Sequence, residues 1–264
     1  MILIDTPLWP AHGTVFAHLV SDTAYEELHA FASVAGVSPR AWDGDHYDVA
    51  REQYAAVLAA GALTVSRSEL VRRLNASGLR LRKHKGEQGL ARHLRVSIGE
   101  GVIADIDLVG SHRPCPDRAT SAAATIVEDA GGDILVVRSV RRATWDCPGG
   151  RREGTESVLE CALRELAEES GLVVEPTALS RCGYERIEVS EPDHWAYRRP
   201  YVQVFRARVA QRRPELTVGA DDVDGAQWVG RLRFRELCEH LFWWPLAAHI
   251  MGSRVPGEPV HDRG

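Results

Sequence analysis

GRREGTESVLECALRELAEESGL, residues 150–172, carries an apolar and an acidic stripe on one helical repeat. Leu159, Ala162, Leu163 and Leu166 recur at helical spacing. Glu165, Glu168 and Glu169 stand at i, i+3 and i+4, which makes neighbours of their side chains, about 5–6 Å apart at Cβ. At about 100° per residue the acidic stripe lies roughly 115° round the helix from the apolar one. One face can therefore dock on a core while the other borders a cleft. Three carboxylates this close repel one another and raise each other's pKa values. A hard divalent cation relieves that repulsion, because carboxylate oxygens are the ligands Mg²⁺ and Mn²⁺ favour. Thr155 or Ser157 can cap the helix start, and Gly171 suits its left-handed end.

Gly150, Glu156, Arg164-Glu165-Leu166, Glu168-Glu169 and Gly171-Leu172 fit the pattern G-x5-E-x7-R-E-U-x-E-E-x-G-U, with U apolar, at every position. The stretch thus resembles the Nudix box. Seven fixed residue types, each at a frequency of roughly 7 %, recur by chance at on the order of one starting point in 10⁸. The alternative, a solvated helix laced with Arg–Glu pairs, would suit a bare RExxEE better than this longer pattern.

The chain has 264 residues, 44 % hydrophobic and 26 % charged, a composition normal for a soluble protein of one large or two ordinary domains. A net charge of −5 argues against a general nucleic-acid-binding surface. Basic charge is almost all arginine, with Lys83 and Lys85 the only lysines. Cys115, Cys147, Cys161, Cys182 and Cys238 include no CxxC, so neither a disulfide framework nor a zinc site is indicated. The N-terminus has no basic segment before an apolar run, and no apolar run reaches the ~18 residues of a membrane span. A cytoplasmic protein without membrane contact is expected.

Residues 1–80 read as a small α/β domain, with strands at Ile2–Ile4 and Phe16–Val20 and a helix capped by Ser21 or Asp22. Further elements follow at 46–49, 51–60 and 63–65, and Ser66 caps a last helix. The WP near the start, the HLVSD and ELHAFA runs and HYD make this segment similar to a small bacterial domain family of unassigned function. It holds His12, His18, Asp22, His29, His46 and Asp48. No two of them form a tight ligand pair such as HxxxH, so scattered capping, turn and core roles are favoured over a metal or nucleotide site. Residues 81–117 are expected to be a linker or an added strand at 102–109; the basic run 80–95 reads as a solvated face, and HRPCPD, 112–117, as a boundary.

From residue 118 to 252 the pattern turns β-rich. Strands at 122–127 and 134–137 flank a Gly131-Gly132 turn, and 181–189, 201–209 and 227–229 supply more. A helix beginning at Phe234 is expected to continue through 241–250, and residues 253–264 to form a loose tail. The resemblance implies an α/β/α sandwich around a mixed sheet, preceded by the separate α/β domain.

It also implies metal-dependent hydrolysis of a nucleoside diphosphate linked to another group, with Mg²⁺ or Mn²⁺ as cofactor and a small nucleotide as substrate. Glu165, Glu168 and Glu169 would hold the metal, and a Gly149–Gly150 turn would let backbone approach metal and phosphates. Arg164 would orient a box glutamate by a bidentate pair, and Glu156 would join the metal or that pair, with Glu153 behind it. Asp222, in GADDVDGAQWV, takes a place where the family often has a glutamate that binds metal or acts as base; Glu188 and Glu191 are reserves. Trp195, Tyr197, Tyr184 and Trp145 could stack on a base or sit in the core. Arg141, Arg142, Arg151, Arg152, Arg198 and Arg199 could meet phosphates or only solvent. A different class of function is a non-catalytic nucleotide sensor, which would be expected to lose box glutamates; here all are present. The N-terminal unit would shape substrate access or mediate self-association as a homodimer.

Overall fold

The computed structural model describes residues 1–98, 101–189 and 200–252, and the chain divides into two compact units, one ending at Arg92 and the other beginning at His93. The first unit runs β1 (Ile2–Ile4), β2 (Trp9–Ala11), β3 (Thr14–Ser21), α1 (Tyr25–Val34), β4 (Tyr47–Ala50), α2 (Arg51–Ala59), β5 (Leu63–Thr64) and α3 (Arg67–Ala76). Its sheet has the order β2-β3-β1-β5, with β4 also paired to β3. The period of two along β1 sorts its side chains between two cores. Ile2 and Ile4 pack with Leu28 and Ala32 of α1 and Val57 of α2. Leu3 packs on the other side with Leu70 and Leu74 of α3. The Ser66 hydroxyl accepts the Glu69 N–H at 3.2 Å and caps α3.

Two expectations change here. The run 80–95 is no solvated linker. Leu81 is buried, its N–H bonds to Asp45 at 2.8 Å, Arg80 pairs with Asp45 and Lys83 with Asp43. Arg92 donates to the Gly78 carbonyl, so the unit extends to Arg92 instead of closing near residue 80. Nor are the histidines all scattered. Antiparallel pairing of β3 with β4 sets His18 directly opposite Asp48, and His46 lies two residues before it.

The second unit contains β6 (Gln88–Ser97, which starts before the division), β7 (Ile103–Gly110), β8 (Thr120–Glu128), β9 (Ile134–Ser139), β10 (Trp145–Asp146), β11 (Gly149–Arg151), α4 (Val158–Ser170), β12 (Leu179–Val189), β13 (Tyr201–Arg208), β14 (Val223–Val229), α5 (Arg231–Cys238) and α6 (Trp244–Ile250). Among the described residues nine strands form one mixed sheet, β10-β9-β8-β13-β12-β7-β6, with β11 on β8 and β14 on β9. β13 and β8 are parallel and the other registers are antiparallel. The apolar stripe of α4 covers one face: Val158, Cys161 and Ala162 meet Ala123 and Phe205, and Leu166 meets Val127, Leu135 and Ala207.

α6 covers the opposite face. Gly183 is in register with Val204, one residue off the Phe205 that faces α4, and a Cβ on Gly183 would sit 2.5 Å from Leu246 of α6. The sequence reading of one helix through 241–250 is corrected. α5 stops at Cys238 and α6 restarts at Trp244, with Pro245 in its first turn, where the missing N–H and fixed φ do no harm. In a continuous helix Pro245 would clash with the carbonyl four residues earlier. Among the described residues, no helix is long and apolar enough to cross a membrane.

Candidate active site

The site grows from the start of α4. Ser157 accepts the Glu160 N–H while the Glu160 carboxylate accepts the Ser157 N–H, a reciprocal capping box. Gly171 ends the helix at φ 73°, a left-handed conformation for which glycine is suited. Held at both ends, α4 sets Glu165 and Glu169 against β11, with Glu168 exposed beside them.

β11 approaches closely enough to exclude side chains. The sequence reading made Gly149–Gly150 a turn. Both are instead strand residues paired with Ala124 and Ala123 of β8, and neither has positive φ. Their glycine identity reflects crowding. A Cβ on Gly149 would meet the Ala123 carbonyl at 2.5 Å, and one on Gly150 would meet Glu165 Oε1 at 2.2 Å. The Gly150 carbonyl accepts from the Cys161 thiol at 3.5 Å. The Gly149 N–H donates to Glu169 Oε2 at 2.8 Å.

Arg164 ties the carboxylates together. Its Nε and Nη2 bond bidentately to Glu156 at 3.0 and 2.8 Å, and Nη1 reaches Glu168 at 2.9 Å and Glu165 at 3.0 Å. Nη2 also donates to the Arg151 carbonyl. Glu156 spends its second contact on the Glu153 N–H at 2.7 Å. Arg164, followed by that backbone bond, holds its carboxyl down at about 2 against partial burial. Both Glu156 oxygens are engaged, by Arg164 and by the Glu153 N–H.

Glu165 and Glu169 are held at an electrostatic cost. Glu168 is exposed, but Glu169 is only 6 % exposed. Burial pushes Glu169 up to about 8, with repulsion from Glu165, Asp222 and Asp146 adding to it and the Gly149 N–H opposing. Burial also raises Glu165, Arg164 opposes, and Glu168 and Asp222 add to the rise. Asp222, just before β14, is exposed and near enough to add to the rise at Glu165 and Glu169, whereas Asp224 pairs with Arg138 at 3.1 Å.

Two residues of this acidic cluster were missed in the sequence. Burial lifts Asp146 of β10 to about 6 and Glu185 of β12 to about 8, and each stands near enough to repel the other. The available signal was slight: Glu185 is one of two carboxylates in a strand of mixed character, and Asp146 stands just before Cys-Pro-Gly-Gly. Of the other candidates, Tyr184 is a core residue, buried edge-on against Tyr201. Trp145 is half-buried and lies over Gly225. Arg142 pairs with Asp146 at 2.9 Å, and Arg152 donates to the Asp117 and Thr120 carbonyls. Glu188 pairs with Arg186 at 3.2 Å. Trp195, Tyr197, Glu191, Arg198 and Arg199, like the expected tail 253–264, lie outside the described residues.

Residues 118–245 match the family described as NUDIX domain. The C-terminal unit is a Nudix hydrolase domain. Residues 2–77 match a second family, described as "Protein of unknown function (DUF4031)". Over 141 residues the chain is 27 % identical to phosphatase NudJ of Escherichia coli K12, covering 52 % of this chain and 87 % of that protein. The Nudix unit is similar to the pyrophosphohydrolase BsRppH of Bacillus subtilis, at 20 % identity and a TM-score of 0.37, over 47 % of this chain and 71 % of that one. It is also similar to a bifunctional NMN adenylyltransferase/ADP ribose pyrophosphatase of Francisella tularensis complexed with AMP and a manganese ion. There the identity is 17 % and the TM-score 0.38, over 53 % of this chain and 43 % of that one.

Proposed function

We propose that the Nudix unit hydrolyses the pyrophosphate bond of a nucleoside diphosphate linked to another group, using a divalent cation, Mg²⁺ or Mn²⁺. The observation that carries the reading is the convergence of half-buried Glu165, buried Glu169 and exposed Glu168, held together by Arg164 and the backbone of β11. These groups repel one another, and their all-oxygen donor set suits a hard cation, which would relieve that repulsion. Glu165, Glu168 and Glu169 are the residues that would hold it, with the backbone of Gly149 and Gly150 beside them. When bound, such an ion neutralises phosphate oxygens and lowers the pKa of a coordinated water.

The chain's own residues do the rest. Arg164 fixes the carboxylates of Glu165 and Glu168, and Glu156 fixes Arg164. The Gly149 N–H fixes Glu169. Asp222, near enough to repel Glu165 and Glu169, is the base we assign to take the proton from the attacking water, its shorter side chain standing where a glutamate is common in the family.

The test is phosphate release from a panel of nucleoside diphosphate derivatives after coupling to a phosphatase, with and without chelator. Activity should require the divalent ion. Glu168→Gln and Glu169→Gln should each lower kcat by about 100-fold or more, since a metal contributes several kcal/mol to such transition states. The Glu169→Gln chain should remain folded, because the amide oxygen still accepts the Gly149 N–H. Full turnover in EDTA, or in both variants, would refute the reading.

A further inference from the structure

We propose that His18, His46 and Asp48 of the first unit bind a divalent first-row transition-metal ion, of the zinc and iron(II) class, and leave part of its coordination sphere open to a ligand. The site is separate from the box carboxylates and lies within residues 2–77, the segment of unassigned function.

The argument begins with strand pairing. His18 on β3 is in register with Asp48 on β4, and His46 shares the sheet face of Asp48 by the strand period of two. One ligand atom from each of the three lies within 4.8 Å of the others. His46 Nε2 is 3.4 Å from Asp48 Oδ1, close to the roughly 3.3 Å edge expected between ligands at tetrahedral zinc. The His18 and His46 rings are 5.1 Å apart.

The nitrogens turned away from this point are the more telling. His18 Nδ1 bonds to Asp5 Oδ2 at 2.9 Å, and His46 Nδ1 to Asp45 Oδ1 at 2.6 Å. Both carboxylates are buried and fixed in turn. Asp5 also accepts the His18 N–H at 2.6 Å. Asp45, 1 % exposed, also accepts the Leu81 N–H at 2.8 Å and pairs with Arg80 at 3.2 Å. A carboxylate behind each imidazole sets the tautomer with Nδ1–H, aims Nε2 and raises its basicity, the arrangement that backs histidine ligands in metalloproteins. Two such carboxylate–histidine pairs pointing at one place exceed what packing alone requires.

The donor set selects the metal. Two imidazoles and one carboxylate suit zinc, iron(II), cobalt(II) or nickel(II) better than Mg²⁺ or Ca²⁺, which favour all-oxygen shells. Three protein ligands are the number found in sites that keep a position open for water or substrate, and Asp48, 42 % exposed at its side chain, is on the accessible side. The competing state is an imidazolium at His46. Burial pulls its pKa down, but Asp45 and Asp48 lift it to about 9. An ion network of that kind would take up no metal.

The experiment uses the full chain, purified without a metal-affinity step and stripped with chelator. Co²⁺ is titrated in excess Mg²⁺, which competes for the all-oxygen carboxylate site, and the visible absorption of bound Co²⁺ is followed. Zinc retained after dialysis is measured by mass spectrometry in parallel. The expected result is one tightly bound Co²⁺ or Zn²⁺ per chain. His18→Ala and Asp48→Asn should weaken uptake by at least about 100-fold, and Asp5→Asn, one step removed, by about 10–100-fold. Glu168→Gln, in the other unit, should leave it unchanged. Circular dichroism checks each fold, and Asp48→Asn, isosteric and part-exposed, keeps the test decisive if His18→Ala does not fold. No uptake by the wild-type chain overturns the proposal. So does uptake that survives in folded Asp48→Asn, or that is lost only in Glu168→Gln.

Discussion

Gly150 shows how one missing carbon makes room for a functional group. The Glu165 carboxylate occupies the volume a Cβ would take, 2.2 Å from its ideal position, and the obstacle is the end of a side chain that can swing. Gly150→Ala should therefore leave the fold intact and push Glu165 aside. Displacement of about 1 Å at a reacting centre costs roughly 100-fold. The expected outcome is a loss of that order in kcat with unchanged circular dichroism. Wild-type turnover would mean Glu165 does not need its present position. Asp222 and Asp224 make a second contrast. The first is near enough to repel the box glutamates and the second is paired with Arg138. Asp222→Asn should lower kcat by about 100-fold or more, within the range of about 10²–10⁴ typical of general-base loss, and Asp224→Asn by less than a few-fold. Equal small effects, measured on the best substrate, would leave the base elsewhere.

At the scale of elements, Glu128 fastens three pieces together. It ends β8 and accepts from Arg206 of β13, Arg208 of the same strand at 3.2 Å and Arg231 of α5 at 2.6 Å. Burial works against its charge, but Arg206 and Arg231 bring its pKa from 4.5 down to about 2. A depressed carboxylate stabilises the fold above its unfolded pKa and loses that contribution as pH falls through the folded one. The window here runs from about 4.5 to about 2. Glu128→Gln should lower stability at neutral pH by about 2 kcal/mol, the range for hydrogen bonds to charged groups, and flatten the acid limb of unfolding between those limits. Urea melts at pH 7 and pH 3 check it; an equal loss at both would show that charge is not the cause. α4 was legible in the sequence because its caps, stripe and carboxylates are local. β10, β11 and β2 were not, since two- and three-residue strands have too few positions to show alternation and are fixed by their partners. His18, His46 and Asp48 stood among the candidates, but scattered roles were favoured for the same reason: 28 residues separate His18 from His46 and only strand register joins them. Asp146 and Glu185 join the box carboxylates through the sheet, and no spacing rule reaches across it.

At the scale of the whole chain, the division falls where the contacts do and not where composition changes. The prolines of HRPCPD, 112–117, suggest a boundary there, yet β7 lies before them and pairs along Gly183–Val189 of β12 inside the Nudix sheet. A fragment of residues 111–264 would lack β6 and β7 and leave β12 with a bare row of backbone donors and acceptors, an open template for aggregation. It should be insoluble, or soluble only as aggregates by light scattering. A fragment of residues 88–264 keeps both strands, all the box carboxylates, Asp222 and the Arg164 network. The first unit has two apolar cores of its own on either side of its sheet, so its loss should not uncover the core of the second. The 88–264 fragment should therefore fold and retain hydrolysis that depends on Mg²⁺ or Mn²⁺, with kcat/KM measured beside the full chain on the same substrate. If it folds and binds Mg²⁺ but turns nothing over, the first unit supplies a group the reaction needs. His18, His46 and Asp48 would then be the first place to look, because one potential ligand atom from each lies within 4.8 Å of the others.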